Sequence, residues 1–308
     1  MRNGPARSGP ARNKPVRDHT SAVRMTAQPH LTTLIVAAMI AAGALHAVWN
    51  AIAKHLDDQV MAFAVIGIPM AVLGGLAVAV TGLPGWTAVY LAVVSAVIHV
   101  GYEFALLNSY RLGAFNQVYP IARGTSPLVV AVGAYFFAGE HLGVIPLAGV
   151  ALLAFGLMSL ALSGGTLTRT ELPAIAVAAL TGLTIASYTV VDGLGVRAAH
   201  DPYAYAGLMF ALLGPVFPLV ALFRRPVARW RDRTVLGRGL LAGALSVLAY
   251  GIVLWAQARA PLAEVAAIRE TSVIFAAVIG MIFLKEHFGA RRVAAAVVIA
   301  TGIVLISA

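Results

Sequence analysis

Runs of about twenty apolar residues follow one another from position 33 almost to the last residue, and most charged side chains lie in the gaps between them or in the tail. A helix needs about that length to cross the hydrocarbon core of a bilayer. Ten segments meet it, over roughly 33–53, 60–81, 86–107, 113–137, 143–162, 172–193, 203–223, 237–257, 261–284 and 291–307. Connections such as Asp57-Asp58, Leu83-Pro84-Gly85, Gly164-Gly165 and Asp201-Pro202 are too short to hold a soluble domain. Backbone polar groups find no water in lipid, so a spanning chain is helical or a closed barrel. The alternating pattern of barrel strands is absent. The expected fold class is therefore an all-α polytopic membrane protein with ten transmembrane helices.

Composition closes off the alternatives. Hydrophobic residues make up 60% of the chain and charged ones 11%, where soluble domains carry about 25% charged residues. No soluble fold of this size hides so much apolar surface. With no cysteine, a disulfide scaffold, an iron–sulfur protein and a zinc ribbon are excluded. The net charge of +10 raises the question of nucleic acid, but its distribution argues against that partner. Six of the 22 basic residues lie in the first 24 positions, six lie between Arg224 and Arg238, and most of the rest flank apolar runs. Residues 1–31 read as a disordered basic tail, with Met25 as a second candidate start. A full-length apolar run follows that tail, where a signal peptide would have a short apolar core and a cleavage site.

The chain repeats itself. Ile121-Ala122-Arg123-Gly124-Thr125-Ser126 in the fourth span matches Ala267-Ile268-Arg269-Glu270-Thr271-Ser272 in the ninth, 146 positions later. The same offset carries Glu140-His141 onto Glu286-His287 and Gly156 onto Gly302. A weaker match at an offset of 139 joins Gly43, Ala47 and Trp49 of the first span to Gly182, Ala186 and Tyr188 of the sixth. Five helices thus read as duplicated. An odd number of crossings per unit turns the second copy upside down, an arrangement typical of secondary transporters, whose sites lie near the midplane between the copies.

These residues carry a resemblance. His46-Ala47-Val48-Trp49-Asn50 in the first span, Pro120-Ile121-Ala122-Arg123-Gly124-Thr125-Ser126-Pro127 and Gly139-Glu140-His141-Leu142 around the fourth, Tyr188-Thr189-Val190-Val191-Asp192-Gly193 in the sixth and Lys285-Glu286-His287 after the ninth are similar to the EamA-type branch of the drug/metabolite transporter (DMT) superfamily. The resemblance extends over about 32–308. It implies two five-helix repeats, 32–163 and 164–308, and a carrier of small metabolites, often amino acids or related solutes. It also implies that both termini lie inside. The halves differ where Glu270-Thr271-Ser272-Val273 stands against Gly124-Thr125-Ser126-Pro127.

Ionisable groups inside spans are costly and mark function by default. Arg123, Arg269, Glu270 and Asp192 lie near mid-span, with Glu264 and Glu103 nearer the ends. A buried Arg demands a partner, so pairing among these groups is expected. The planar guanidinium also suits a carboxylate or phosphate. Arg123 and Arg269, one from each half, are expected to flank a central cavity and to favour solutes with an anionic group. Asp192 is the leading candidate for proton coupling and Glu270 the second; the competing role for each is a fixed counter-ion for an Arg. Trp49, Asn50, Tyr119 and Tyr188 are candidate substrate-binding residues, with Tyr102, Tyr250 and Trp255 as further wall residues, although aromatics at span ends also serve as interfacial anchors. Pro120 and Pro127 are expected to kink the fourth span. The eight histidines give no metal-binding pattern. Glu140 and Glu286 are expected to make capping or loop contacts.

No cofactor is expected, and no P-loop points to a nucleotide. The dispersed His and Asp positions offer no convergent acid–base set, so an intramembrane enzyme is disfavoured. The leading reading is a secondary transporter in the cytoplasmic membrane, working on a small-molecule solute by alternating access. A flippase for a lipid-linked intermediate is the alternative. A monomer suffices, and a homodimer is compatible with the scheme. Orientation is contested. Loops after odd-numbered spans hold Lys54, Arg111, Arg169, the arginines of 224–238, Lys285, Arg291 and Arg292, whereas those after even-numbered spans hold Arg197 and Arg259. Loop charge alone therefore puts the termini outside, against the resemblance and the basic tail.

Overall fold

The protein is described by a computed structural model over residues 31–56, 58–113, 115–162, 169–199, 201–284 and 289–307. The expected tail apart from Leu31, Asp57, the Gly164-Gly165 link, and Lys285-Glu286-His287 lie outside the described residues. Leu31, placed in the tail by the sequence, packs against the main apolar cluster.

Among the described residues there are helices and no strands. They are α1 (Thr33–Lys54), α2 (Gln59–Thr81), α3 (Trp86–Leu112), α4 (Phe115–Ala138), α5 (Val144–Leu162), α6 (Leu172–Ala198), α7 (Pro202–Leu213), α8 (Val216–Arg224), α9 (Arg233–Gln257), α10 (Leu262–Arg269), α11 (Thr271–Leu284) and α12 (Ala290–Ile306). Eight segments are long and apolar enough to cross a membrane, α7 and α8 counting together as one, and α12 contributes a shorter apolar stretch. The protein is a multi-pass membrane protein. Its large exposed side chains are apolar, such as Val80, Phe136, Phe155 and Phe223, while Arg123, Asp192, Gln257, Arg269 and Glu270 are buried. That distribution suits a lipid surround, with ionisable groups turned to the bundle interior.

Helix starts follow from local chemistry. Thr32 caps α1, accepting from the Ile35 N–H. Asp58 caps α2 through the N–H groups of Val60 and Met61. Asp201 caps α7 with Pro202 at its first position, and Asp232 caps α9. Each oxygen satisfies a backbone donor that the first turn leaves open.

The seventh and ninth spans are not the single helices expected. The seventh is interrupted at Gly214-Pro215, since Pro215 has no N–H to continue the ladder. The ninth is interrupted at Glu270 without any proline. There the Glu270 N–H bonds back to the Ala267 carbonyl and the Val273 N–H to the Glu270 carbonyl, three residues apart each time. This is the tighter 3₁₀ pattern, which divides α10 from α11. In contrast, α4 runs unbroken through Pro120 and Pro127. Helices α3 and α6 continue to Leu112 and Ala198, beyond the expected ends at 107 and 193.

The packing pairs distant parts of the chain. Helix α3 lies on α6, α4 on α6, α5 on α12, α1 on α9, α1 on α11, and α2 on α7 and α8. The largest apolar cluster joins Met39 of α1, Leu153 and Leu157 of α5, Val265 and Ile268 of α10 and Ile299 of α12. A second gathers Ala92 of α3, Tyr205, Met209 and Phe210 of α7 and Leu254 of α9. Between them α10 is buried along its whole length. It carries Arg269 into the middle of the molecule.

Candidate solute site

The break at Glu270 puts two ionisable side chains side by side at the end of a short buried helix. Arg269 and Arg123 share the wall of one small cavity, of about 40 Å³. Ala42 and His46 of α1, Tyr102 of α3, Tyr188 of α6, and Ala249, Tyr250 and Val253 of α9 complete the wall. Six helices from both parts of the chain therefore converge on it.

The two arginines are not equivalent. Arg123 is the more closely paired: its Nε lies 2.5 Å from Glu270 Oε2, and its Nη2 donates to Ser272 Oγ at 2.9 Å. Its guanidinium carbon lies 5.9 Å from the centre of the Tyr119 ring. Arg269 is as deeply buried, with 4% of its surface exposed, but it reaches Glu270 Oε1 only at 4.0 Å. Its Nε and Nη2 have no hydrogen-bond acceptor. One carboxylate thus serves mainly Arg123, while Arg269, also part of the cavity wall, keeps two buried donors without an acceptor.

Asp192 stands apart from both arginines. Its Oδ1 accepts from the Tyr205 hydroxyl at 2.8 Å and its Oδ2 from the Tyr250 hydroxyl. Gly195 makes the first contact feasible: a Cβ there would fall 2.2 Å from the Tyr205 ring, so only a bare backbone lets that ring lie along α6. No ion pair reaches Asp192 among the described residues; the counter-ion role that competes for the acids falls to Glu270. Because Tyr250 also lines the cavity, its ring connects the cavity to the Asp192 carboxylate.

The aromatic wall is ordered by stacking. His99 lies over Tyr188 with ring centres 3.8 Å apart, and its Nδ1 is 3.0 Å from the Ser95 carbonyl. Tyr102 meets Tyr188 edge-on at 5.5 Å.

Of the expected substrate-binding residues, Arg123, Arg269 and Tyr188 lie together on the cavity wall, and Tyr119 sits behind Arg123. Trp49 and Asn50 are placed elsewhere. Trp49 packs with Ile52 and Met70 against Ala53, Ile66 and Ala242, and the Asn50 amide donates to its own helix at the His46 carbonyl. Helical spacing accounts for this: Trp49 and Asn50 follow His46 by three and four residues on the same side of α1 and so lie one turn past the cavity wall, with the Trp49 ring edge-on to His46 at 5.2 Å. The sequence reading did not assign His46 or Tyr205 to the site. A histidine in mid-span was the only signal for the first, and Tyr205, near the start of α7, carried none.

At one end of the bundle the structure is tied shut. Gly139, at φ +66°, ends α4 in the left-handed region, and the Glu140 N–H returns to the Ala134 carbonyl. That turn aims Glu140 inward. Its carboxylate pairs with Arg197 of α6 at 2.6 Å and accepts from the Leu262 N–H at the start of α10 at 2.8 Å. Arg197 also donates to the carbonyls of Gln257 at 2.8 Å and Ala260 at 2.7 Å. Four elements meet at this one ion pair. The expected capping role of Glu140 is its contact with α10.

Comparison with known proteins adds the family. Residues 172–308 match the EamA-like transporter family, of the drug/metabolite transporter superfamily. The second half of the chain is an EamA-like unit. The match starts at the first residue of α6 and takes in Asp192, Arg269 and Glu270. No curated protein matches the chain. A crystal structure of a protein is similar with a TM-score of 0.69 and 16% identity, covering 89% of this chain and 98% of that one. At that identity the likeness is one of fold alone.

Proposed function

We propose that this protein is a secondary transporter of the cytoplasmic membrane, carrying a small solute with an anionic group by alternating access between two five-helix halves of opposite orientation. The observation that carries the reading is Arg269: a buried cation with unpartnered N–H donors on the wall of a cavity between the halves. Leaving such donors unsatisfied costs free energy. A carboxylate or phosphate group on the solute supplies the missing acceptors, and a guanidinium binds either in its own plane.

The duplicated architecture is supported by exchanged contacts. If α1–α5 correspond to the elements from α6 onward, the pairing of α3 with α6 corresponds to that of α9 with α1, and the pairing of α4 with α6 to that of α11 with α1. Alternating access is supported by what breaks this symmetry. Helix α6 touches α9 and α10 where Glu140 and Arg197 close one end, whereas among the described residues α1 makes no comparable contact with α3 or α4. A carrier caught open to one side has this asymmetry. Asp192 is the proton-coupling residue in this scheme. Protonation replaces an acceptor oxygen with a hydroxyl, so one of its two tyrosine contacts must rearrange, and Tyr250 passes that change to the cavity. Glu270 stays with Arg123 as its counter-ion. The modest cavity favours a small solute over a lipid-linked intermediate.

Metabolite export profiled with and without the protein identifies the solute, and flux into proteoliposomes under an imposed pH gradient tests the mechanism. The expected result is proton-driven movement of an anionic or zwitterionic solute that Arg269→Gln abolishes. Unaltered flux in Arg269→Gln, or transport of cations alone, overturns the reading.

A further inference from the structure

The arginines of 224–238 have no part in the central cavity. Arg225 is engaged: its Nε lies 2.7 Å from Asp58 Oδ2 and its Nη2 donates to Asp58 Oδ1 at 3.1 Å. Next to this pair is a second pocket, of about 110 Å³, lined by Arg229 and Arg238 together with His55, Asp58 and Asp232. Both acids are already occupied. Asp58 holds Arg225 and caps α2, and Asp232 caps α9 through the N–H groups of Thr234 and Val235. The side chains of Arg229 and Arg238 have neither an ion pair nor a hydrogen bond among the described residues. With Asp58 and Arg225 cancelling, the two guanidinium groups outweigh the one remaining carboxylate, Asp232, and the pocket is cationic.

Its surroundings are those of a bilayer border. The 3₁₀ turn that carries Arg229 is anchored by Trp230, half-buried against the cluster of Met61 and Val65. Aromatic residues of this kind settle at the headgroup level. The helix leading into the turn, α8, exposes Leu219, Leu222 and Phe223, the last with 89% of its surface open. A ligand in the pocket thus has arginines on one side and an exposed apolar helix beside it.

We propose that this pocket binds a phosphate group, that of an anionic phospholipid, with the headgroup between Arg229 and Arg238 and the acyl chains along α8. Guanidinium groups suit phosphate oxygens, and basic pockets at membrane helix ends attract anionic lipid. The apolar flank favours a lipid over free phosphate. The inference needs the membrane setting and not the nature of the transported solute.

Native mass spectrometry of the full chain in detergent, titrated with phosphatidylglycerol or phosphatidylcholine, reads the site directly. The expected result is a preference of about tenfold for phosphatidylglycerol, in line with two arginines at a membrane surface. Arg229→Gln with Arg238→Gln should remove it and the paired Lys substitutions should largely keep it, while Arg111→Gln, at the end of α3, should leave it intact. Melting of each variant in neutral detergent checks folding, and the single substitutions serve if the pair fails to fold. An unchanged phosphatidylglycerol preference in the double variant overturns the proposal. Stabilisation of the wild type by inorganic phosphate, lost in the double variant and with no lipid preference, overturns the lipid assignment. Absence of solute flux bears only on the transport reading, because lipid retention is measured without it.

Discussion

Gly182 of α6 lies so close to α4 that a Cβ on it would fall 2.6 Å from the Ala122 carbonyl oxygen and 2.8 Å from the Thr125 Cβ. Gly43 of α1 has the matching relation to α11, where a Cβ would fall 2.3 Å from Thr271 Oγ1. The sequence repeat pairs Gly43 with Gly182 and Thr125 with Thr271, so each glycine meets the threonine of the other copy. Close approach of this kind is how helices associate in lipid, where there is no hydrophobic drive between them. Gly182→Ala is expected to force α4 and α6 apart. Its cost should be about 1–3 kcal/mol, seen as a lower unfolding midpoint in detergent.

Arg123 and Glu270 form the closest ion pair among the described residues, with side chains 5% and 0% exposed. Removing one partner strands the other in a low-dielectric interior. Arg123→Ala should destabilise the protein by about 3–5 kcal/mol. Glu270→Gln should cost more than Arg123→Ala, because it leaves Arg123 and Arg269 buried without a carboxylate, whereas Arg123→Ala leaves Glu270 beside Arg269. Thermal unfolding of the three proteins measures the difference.

Asp192 accepts from two tyrosines, and an amide presents only one acceptor oxygen to them. Asp192→Asn should retain solute binding and lose accumulation against a gradient. Tyr250→Phe removes one donor and should weaken coupling less. Solute binding and proton-driven uptake, measured on the same preparations, separate the two effects; normal accumulation by Asp192→Asn would count against the assignment.

Glu140 and Arg197 join α4, α6, α9 and α10 at one end. Glu140→Gln should loosen that end and expose the cavity from it. The chain contains no cysteine, so a single Ala249→Cys on the cavity wall reports access without background. Labelling by a membrane-impermeant thiol reagent should rise from the Glu140 side. Equal labelling with and without Glu140→Gln would show that the ion pair does not control entry.

Asp58 lies in the α1–α2 connection, outside the spans. Burial opposes its ionisation, but hydrogen bonds from Arg225 and from the Met61 and Val60 N–H groups outweigh that and hold the carboxyl below its ordinary value of 3.8. The folded-state value is depressed, so the stabilisation is present above the ordinary value and is lost as pH falls below it towards the folded one. Asp58→Asn should flatten that part of the stability profile between pH 5 and 2, measured by melting across acidic buffers. A slope unchanged by the substitution would assign it to other carboxylates.

What the amino-acid sequence by itself determined was the class of solution. Apolar runs of bilayer length force helices, because lipid leaves backbone groups no other partner. The recurrence of Arg123-Gly124-Thr125-Ser126 as Arg269-Glu270-Thr271-Ser272 exposed the duplication, and the mid-span positions of Arg123, Asp192, Arg269 and Glu270 marked where function lies. Tertiary structure decided the division of labour among them. Four ionisable groups in apolar runs do not reveal who pairs with whom, since each partner comes from a helix distant in sequence. Glu270 went to Arg123, Asp192 to two tyrosines, and Arg269 was left with free donors. The turn that delivers Glu270 has no proline to announce it, and one turn of α1 separates His46 on the cavity wall from Trp49 beyond it. A one-dimensional pattern records which side chains are costly to bury; only the packing of α1, α4, α6, α9 and α10 determines how each cost is met.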